Sequence, residues 1–131
     1  MEDNPVQLTL LNAKLHQARV THAELEYEGS CAVDSQLLKA ANIMEFEQLH
    51  IYNLKNGERF STYAICAEEG SGIISVNGAA AHKASAGDRL IICTYGVFHA
   101  SEVASHLPRL VYLDVDNRIK RTSHNIPIQL A

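Results

Sequence analysis

The chain has 131 residues, 47% of them apolar, and carries a formal charge of −4 at pH 7. This length and apolar content suit one domain with a single core. Acidic and basic residues are interspersed, so no cationic stripe could hold a phosphate backbone, and we expect no nucleic-acid partner. No segment approaches the roughly 20 consecutive apolar residues that span a bilayer, so we expect no membrane partner either.

The cysteines, the N-terminus and the histidines favour a cytoplasmic protein without a metal. Cys31, Cys66 and Cys93 are odd in number and widely spaced, which fits neither a disulfide framework nor a CxxC metal site and suits a reducing compartment. The chain begins acidic and lacks the basic start and apolar run of a secretory signal. The seven histidines form no HExxH or other tight metal spacing, and we predict no metal.

The pattern of the first third of the chain predicts a strand followed by a short helix. Across residues 20–28, apolar and polar side chains alternate, which predicts a half-buried strand that runs into Gly29. After this strand, Asp34 or Ser35 can cap a short helix that ends near Ala41.

Short strands separated by turns dominate the rest of the pattern. Asn56-Gly57 is a strong hairpin signal between strands predicted at residues 49–54 and 59–67. Further short strands are predicted at residues 72–76, 89–94 and 110–115, with a second short helix at residues 99–106. Many short strands with few helices predict a mainly β fold, a small closed β-barrel, because closure leaves no exposed sheet edge.

The Gly29-Ser30 step has both a structural and a chemical interpretation. Taken alone, Gly-Ser is a common turn. The chemical interpretation is autocatalytic cleavage: the Ser30 hydroxyl attacks the Gly29 carbonyl and the amide becomes an ester. Elimination and hydrolysis then leave a pyruvoyl group, with loss of ammonia. Glycine suits position 29 because it has no Cβ to block the attack and tolerates strained backbone angles.

A pyruvoyl group would explain how a chain with no visible cofactor motif could act on an amino acid. Its ketone condenses with the substrate amine, and the Schiff base accepts the electrons released when the α-carboxylate leaves. Pyridoxal phosphate plays this role in other enzymes, so we expect no pyridoxal phosphate in this one.

Several segments match one protein family in order and in register. They read KLH at residues 14–16, VTHA at 20–23, YEGSC at 27–31, NGERFSTY at 56–63 and IISVNGAAA at 73–81. A Gly87-Asp88 turn, an apolar strand and Tyr95 follow. Over about residues 12–128 the chain resembles the pyruvoyl-dependent aspartate 1-decarboxylases. It departs from them in a longer, more acidic start, in Tyr52 where many members carry tryptophan, and in Lys83 where some have cysteine.

The resemblance implies a fold, a reaction and an assembly. The fold would be a double-psi β-barrel, in a homotetramer with active sites between subunits. The reaction would turn L-aspartate into β-alanine and CO₂, which feeds pantothenate and coenzyme A biosynthesis. The chain would be a zymogen, a single domain over residues 1–131 that cleaves itself between Gly29 and Ser30 into a β chain (1–29) and an α chain (30–131). The requirement for a maturation factor stays open.

The resemblance also implies roles for three residues of one predicted strand. Arg59 would clamp a substrate carboxylate, and we assign it the retained side-chain carboxylate, because a salt bridge to the leaving carboxylate would stabilise the ground state. Tyr63 would donate a proton to Cα after CO₂ leaves. Thr62 would polarise the Gly29 carbonyl during processing. Without the resemblance, Arg59 would be a solvated charge at a strand end, Tyr63 a tyrosine packed in the core, and Thr62 a residue chosen for its β-propensity.

Two other segments receive substrate-binding roles from the resemblance. Lys14 would lie near the substrate carboxylates, with His16 as a further candidate, and surface charge is the alternative for both. Tyr27 would position the scissile peptide or pack in the core. The second segment consists of Asn77, Gly78, Ala79 and Ala80. It would bind substrate as a unit, because small side chains leave backbone N–H groups open to a ligand. The alternative interpretation is a tight turn.

Two alternatives to this function stay open. A non-catalytic binding module would be favoured by a solvent-exposed, unstrained Ser30. A pyruvoyl enzyme that acts on glutamate would differ chiefly in the depth of its pocket.

Spacing adds one constraint on the site, because the Cα atoms of Arg59 and Tyr63 would be about 13 Å apart on an extended strand. Aspartate is shorter than this, which favours contributions from two subunits or a bent strand.

Overall fold

The computed structural model describes residues 5–28 and 30–131. Over these residues the chain forms nine strands, one α-helix and two 3₁₀ helices. The strands are β1 (Gln7–Arg19), β2 (His22–Glu24), β3 (Ser30–Asp34), β4 (Gln48–Asn53), β5 (Arg59–Ala67), β6 (Ile74–Asn77), β7 (Arg89–His99), β8 (Arg109–Leu113) and β9 (Ile119–Ser123). The helix α1 spans Ser35–Ala41, and the 3₁₀ helices span Gly78–His82 and Ala100–Ser105. The prediction of a mainly β fold with short helices is confirmed.

The strands join into one mixed sheet with the order β2-β6-β3-β5-β4-β7-β1-β8-β9. Three neighbouring pairs are parallel, β1 with β8, β2 with β6 and β3 with β5, and the others are antiparallel. This interleaved order is that of a small β-barrel, as predicted. For the candidate site, the important consequence is that β3 lies between β5 and β6.

At the start of the chain, one predicted strand is shorter than expected and one strand was not predicted at all. The strand predicted at residues 20–28 is reduced to β2, because residues 21–28 are all exposed and offer no face to the core. The long strand β1 was not predicted. Its register against β7 shifts between Leu11 and Ala13 and again between His16 and Ala18, and Gln17 has a φ of 61°. Such bulges interrupt the two-residue alternation by which a strand is recognised in a sequence.

The helix α1 begins where the sequence predicted, and its cap also anchors β3. The buried carboxylate of Asp34 accepts a hydrogen bond from the Gln36 amide at 2.9 Å. It also accepts bonds from the amides of Gly70 and Gly72, each at 2.9 Å. One carboxylate thus caps α1 and fixes the C-terminal end of β3 to the loop before β6. The predicted second helix is the 3₁₀ helix Ala100–Ser105.

The core lies inside the curved sheet and supports the strands of the candidate site. Fully buried side chains include Leu15, Leu49, Ile51, Ile74, Leu90, Ile92 and Leu110, each of which stabilises the fold by about 1.5–3 kcal/mol. Cys31, Val33 and Ala64 on β3 and β5 are also completely buried. Among the described residues, no helix has the length and apolar character to cross a membrane.

Candidate active site

Ser30, the first residue of β3, combines burial, backbone strain and an unpaired hydroxyl. It is 2% exposed, and its φ of 113° is one that residues with a side chain rarely adopt, at a cost of about 1–3 kcal/mol. Its Oγ is buried and has no hydrogen-bond partner among the described residues. Because a buried hydroxyl is normally hydrogen-bonded, a buried hydroxyl without a partner indicates a functional residue. Gly29, the predicted partner in cleavage, lies outside the described residues.

A cavity of about 280 Å³ opens beside Ser30. It is lined by Ser30, Phe60, Ser61, Thr62, Tyr63, Asn77, Ala79, Ala80 and Lys83. Six of the residues selected from the sequence therefore share one cavity: Ser30, Thr62, Tyr63, Asn77, Ala79 and Ala80. A larger cavity of about 430 Å³ contains the exposed Tyr27 but not Ser30, so size alone does not identify the site.

Strand pairing accounts for this convergence. Ser30 is opposite Asn77 in the antiparallel β3–β6 pair. Cys31 is beside Ala64 in the parallel β3–β5 pair, so the residues just before Ala64 flank the start of β3. On β5, Thr62 is partly buried whereas Tyr63 is 42% exposed, so Tyr63 is not a core tyrosine.

The Asn77–Ala80 segment forms the other wall of the cavity. Asn77 is 2% exposed, and its Oδ1 accepts a hydrogen bond from the Ser75 hydroxyl at 2.8 Å. Its amide nitrogen makes no hydrogen bond within the described part of the chain and can donate to a ligand. Gly78 turns the chain with a φ of 62°, a conformation that favours glycine. Ala79 and Ala80 follow, and their small side chains leave the cavity open.

Lys14 and Arg59 do not line this cavity. Lys14 is opposite Cys93 in the β1–β7 pair. Burial raises the pKa of the Cys93 thiol, and a hydrogen bond to Tyr95 and the charges of Lys14 and Arg59 oppose that rise. Both charges therefore act on the same thiol. Arg59 stacks on the ring of Tyr52, with its Cζ 4.1 Å from the ring centroid.

Three cavity residues, Phe60, Ser61 and Lys83, were not selected as site residues from the sequence. Lys83 forms an ion pair with Glu58 at 3.0 Å, and both side chains are close to half exposed. In the sequence, Lys83 drew attention only as a departure from the family, and nothing else marked it. Phe60 precedes Thr62 by two residues, so a regular strand would place the two on one face.

Neither Cys31 nor His16 lines the cavity at Ser30. Burial raises the pKa of the Cys31 thiol to about 12, so it is uncharged and a weak nucleophile at neutral pH. Burial, followed by the charges of Lys14, Arg121 and Lys120, lowers the pKa of His16, whose ring packs against Tyr112. No group of three or more His, Cys, Asp or Glu side chains within residues 5–28 and 30–131 could hold a metal.

Comparisons with known proteins identify the family. The family model for aspartate decarboxylase matches residues 6–120. An aspartate 1-decarboxylase of Nitrosococcus oceani is 68% identical over 124 residues, which cover 95% of this chain and 98% of that protein. One from Thioalkalivibrio sulfidiphilus is 66% identical with the same coverage, and one from Tolumonas auensis is 63% identical over 96% of this chain and 100% of its own. The predicted resemblance is confirmed, and the chain belongs to the aspartate decarboxylase family.

Proposed function

We propose that this chain is an aspartate 1-decarboxylase that converts L-aspartate into β-alanine and CO₂ at a pyruvoyl group made from Ser30. The observation that carries the proposal is Ser30 itself, buried, strained and without a hydrogen-bond partner in the described part of the chain. It lies beside a cavity that contains Thr62, Tyr63 and Asn77, in a chain of the aspartate decarboxylase family.

The residues present fit the formation of a pyruvoyl group. The free Ser30 Oγ attacks the carbonyl of residue 29, and the backbone C–N bond breaks as an ester forms. Elimination releases the carboxylate of Gly29 and leaves dehydroalanine at position 30. Water then replaces its nitrogen, which leaves as ammonia. The products are a β chain of residues 1–29 and an α chain of residues 30–131. Thr62 is suited to donate a hydrogen bond to the carbonyl under attack.

Decarboxylation needs an acceptor for the electrons of the bond that breaks. The ketone of a pyruvoyl group would supply this acceptor once it has condensed with the substrate amine. The chain's own residues then have three tasks. The side-chain amide of Asn77 donates a hydrogen bond to the substrate. The small side chains of Ala79 and Ala80 leave room for the substrate. Tyr63, at the exposed side of the cavity, returns a proton to Cα after CO₂ leaves.

Arg59 and Lys14 complete the site from a neighbouring subunit in this proposal. Neither lines the cavity at Ser30 of its own chain, and the charges of both act on the Cys93 thiol of the same sheet. A second copy of the chain that brings both side chains to the cavity would supply two cations for the two carboxylates of aspartate. We propose a homotetramer with such sites at its interfaces. Arg59 binds the retained carboxylate, because holding the leaving one would oppose the reaction.

The alternatives are less well supported. A binding module would be favoured by an exposed and relaxed Ser30, whereas Ser30 is buried with a φ of 113°. Glutamate is one methylene longer than aspartate, and such a difference is worth about 10–200-fold in discrimination. A cytoplasmic location, a supply of β-alanine for pantothenate and dependence on a maturation factor are parts of the proposal that need their own tests.

The decisive experiment is the denatured intact mass of the purified protein before and after prolonged warm incubation. We expect two fragments that meet after Gly29, with the longer one lacking ammonia and gaining two hydrogens on treatment with borohydride. The processed protein should release CO₂ from C1 of aspartate faster than from glutamate. A persistent single chain that stays intact after cell extract is added, and releases no CO₂, would overturn the proposal.

Arg59→Lys tests the assignment of the carboxylates. Lysine keeps the charge but loses the bidentate fork, so affinity for both aspartate and β-alanine should fall, because both carry the retained carboxylate. A variant that lost affinity for aspartate but bound β-alanine normally would assign Arg59 to the leaving carboxylate instead.

A further inference from the structure

Arg59 belongs to a small cluster that extends across three neighbouring strands. It is directly opposite Tyr52 in the β4–β5 pair, and its guanidinium lies over the Tyr52 ring at 4.1 Å. The hydroxyl of Tyr52 is 2.6 Å from the hydroxyl of Tyr95 on β7. We call Arg59, Tyr52 and Tyr95 the tyrosine–arginine cluster. It connects β5 to β7 through the outward-facing side chains of β4.

The stacking contact sets the direction of an otherwise unrestrained side chain. The Arg59 side chain is exposed and makes no hydrogen bond or ion pair with any residue in 5–28 or 30–131. A free arginine side chain samples many rotamers. Stacking on Tyr52 holds the plane of the guanidinium while its N–H groups stay free at the edge, which is the arrangement required for bidentate binding of a carboxylate.

Tyr95 restrains the ring on which Arg59 stacks. A tyrosine ring that is half exposed can rotate away from its neighbour, whereas a second hydroxyl at 2.6 Å holds its far end. Tyr95 is itself supported by the edge-on ring of His50, with centroids 5.1 Å apart. Burial and the hydrogen bond to Tyr52 raise the pKa of Tyr95, so the Tyr95 hydroxyl stays protonated throughout the physiological pH range.

We propose that Tyr52 and Tyr95 are positioning residues: their linked hydroxyls hold the Tyr52 ring so that the Arg59 guanidinium is oriented to bind the substrate carboxylate. This inference rests on the proposed function, since it assigns Arg59 to substrate. Neither tyrosine touches the cavity at Ser30. Their effect is therefore on binding of substrate rather than on formation of the pyruvoyl group or on proton transfer.

The test compares Tyr95→Phe, Tyr52→Phe and the double variant, each as processed protein verified by intact mass. Either single change removes one hydroxyl and keeps both rings, so we expect KM for aspartate to rise by about three- to tenfold with kcat within about twofold. The double variant should be no worse than either single variant, because each single change already breaks the hydroxyl pair. Tyr112→Phe is the matched control, since Tyr112 stacks on Arg121 at 3.8 Å on β8 and β9, and it should leave KM unchanged.

A second measurement is independent of turnover. The Nε–H signal of Arg59, assigned with Arg59→Lys, should be shifted by the Tyr52 ring in the wild type and should move towards the free-arginine value in Tyr95→Phe. An unchanged KM in both single variants, additive losses in the double variant, or a fall confined to kcat would overturn the positioning role. If wild-type protein is not processed or does not turn over aspartate, the proposed function fails, and the Arg59 signal alone then decides whether Tyr95 orients Arg59.

Discussion

Ser30 on β3 is paired with Asn77 on β6, and each is only 2% exposed. The pairing holds Ser30 inside the sheet although its backbone is strained, because ladder hydrogen bonds on both sides of β3 resist relaxation. It also places Asn77, whose amide nitrogen makes no hydrogen bond within the described residues, opposite Ser30. The proposed reactive serine and a proposed binding group therefore come from one pair of neighbouring strands, and the following predictions test what they do.

Ser30→Ala should abolish cleavage and leave one folded chain of 14.4 kDa. Alanine lacks the nucleophile but has the same difficulty with a positive φ, so the fold should change little. Intact mass and thermal unfolding measure the two effects. Cys31→Ala is the control for the neighbouring thiol, which burial keeps uncharged, and this variant should still be cleaved. Cleavage of Ser30→Ala, or its loss in a well-folded Cys31→Ala, would contradict the assignment.

Thr62→Val should slow the appearance of the two fragments by about 10²–10³-fold, the usual effect of losing one donor to a developing oxyanion. Valine keeps the shape and the β-propensity of threonine, so the sheet should be preserved. Thr62→Ser restores the hydroxyl and should restore most of the rate. The measurement is a time course of intact mass. Equal rates in the valine variant and the wild type would remove Thr62 from processing.

Tyr63→Phe should be processed normally but should lose about 10²–10⁴-fold in kcat, because only the proton donor is removed. Tyr112→Phe removes a hydroxyl from a tyrosine that does not line the cavity at Ser30 and serves as the control. CO₂ release at saturating aspartate measures kcat. Normal kcat in processed Tyr63→Phe would transfer the role of proton donor to another group.

Lys14→Ala and Ser30→Ala should each be inactive alone but should restore activity when they assemble together. If Lys14 serves the Ser30 of a neighbouring subunit, a random equal mixture contains both residues in about a quarter of its sites. If both residues had to come from one chain, no site in the mixture would be complete. Activity of co-expressed chains, compared with separately expressed chains mixed after folding, distinguishes the two arrangements.

Asp88 should stabilise the hairpin before Arg59 in a pH-dependent way. Burial alone would raise its pKa, but hydrogen bonds from Asn53 and the Ser85 amide, with the charge of Lys55, lower it overall. Because the folded pKa is below the unfolded one, this stabilisation is complete above the unfolded pKa and is lost as the pH falls through the folded pKa. Asp88→Asn should therefore have a lower Tm than wild type at pH 7, and the difference should shrink in acid. A difference that does not depend on pH would mean that ionisation of Asp88 is not involved.

Much of the candidate site could be predicted from local sequence. Thr62 and Tyr63 belong to a hairpin strand that the Asn56-Gly57 turn predicts, and Gly78 forms a turn with a positive φ. These are short-range features, which residue types reveal directly. The strand β1 was missed for the opposite reason, because its two register shifts are stabilised by β7, a partner about 80 residues away in the chain.

The sequence by itself determined the mainly β fold and the family, since both are encoded in composition, order of motifs and local spacing. Only the tertiary structure decided that Ser30 is strained and that its hydroxyl has no partner among the described residues. It also decided that Ser30 shares a cavity with Asn77 and Tyr63, and that Lys14 and Arg59 do not line that cavity. The contact between the hydroxyls of Tyr52 and Tyr95 was equally unpredictable. Each of these facts depends on which strands pair and in what register, and pairing between distant segments is set by packing of the whole core rather than by any local pattern.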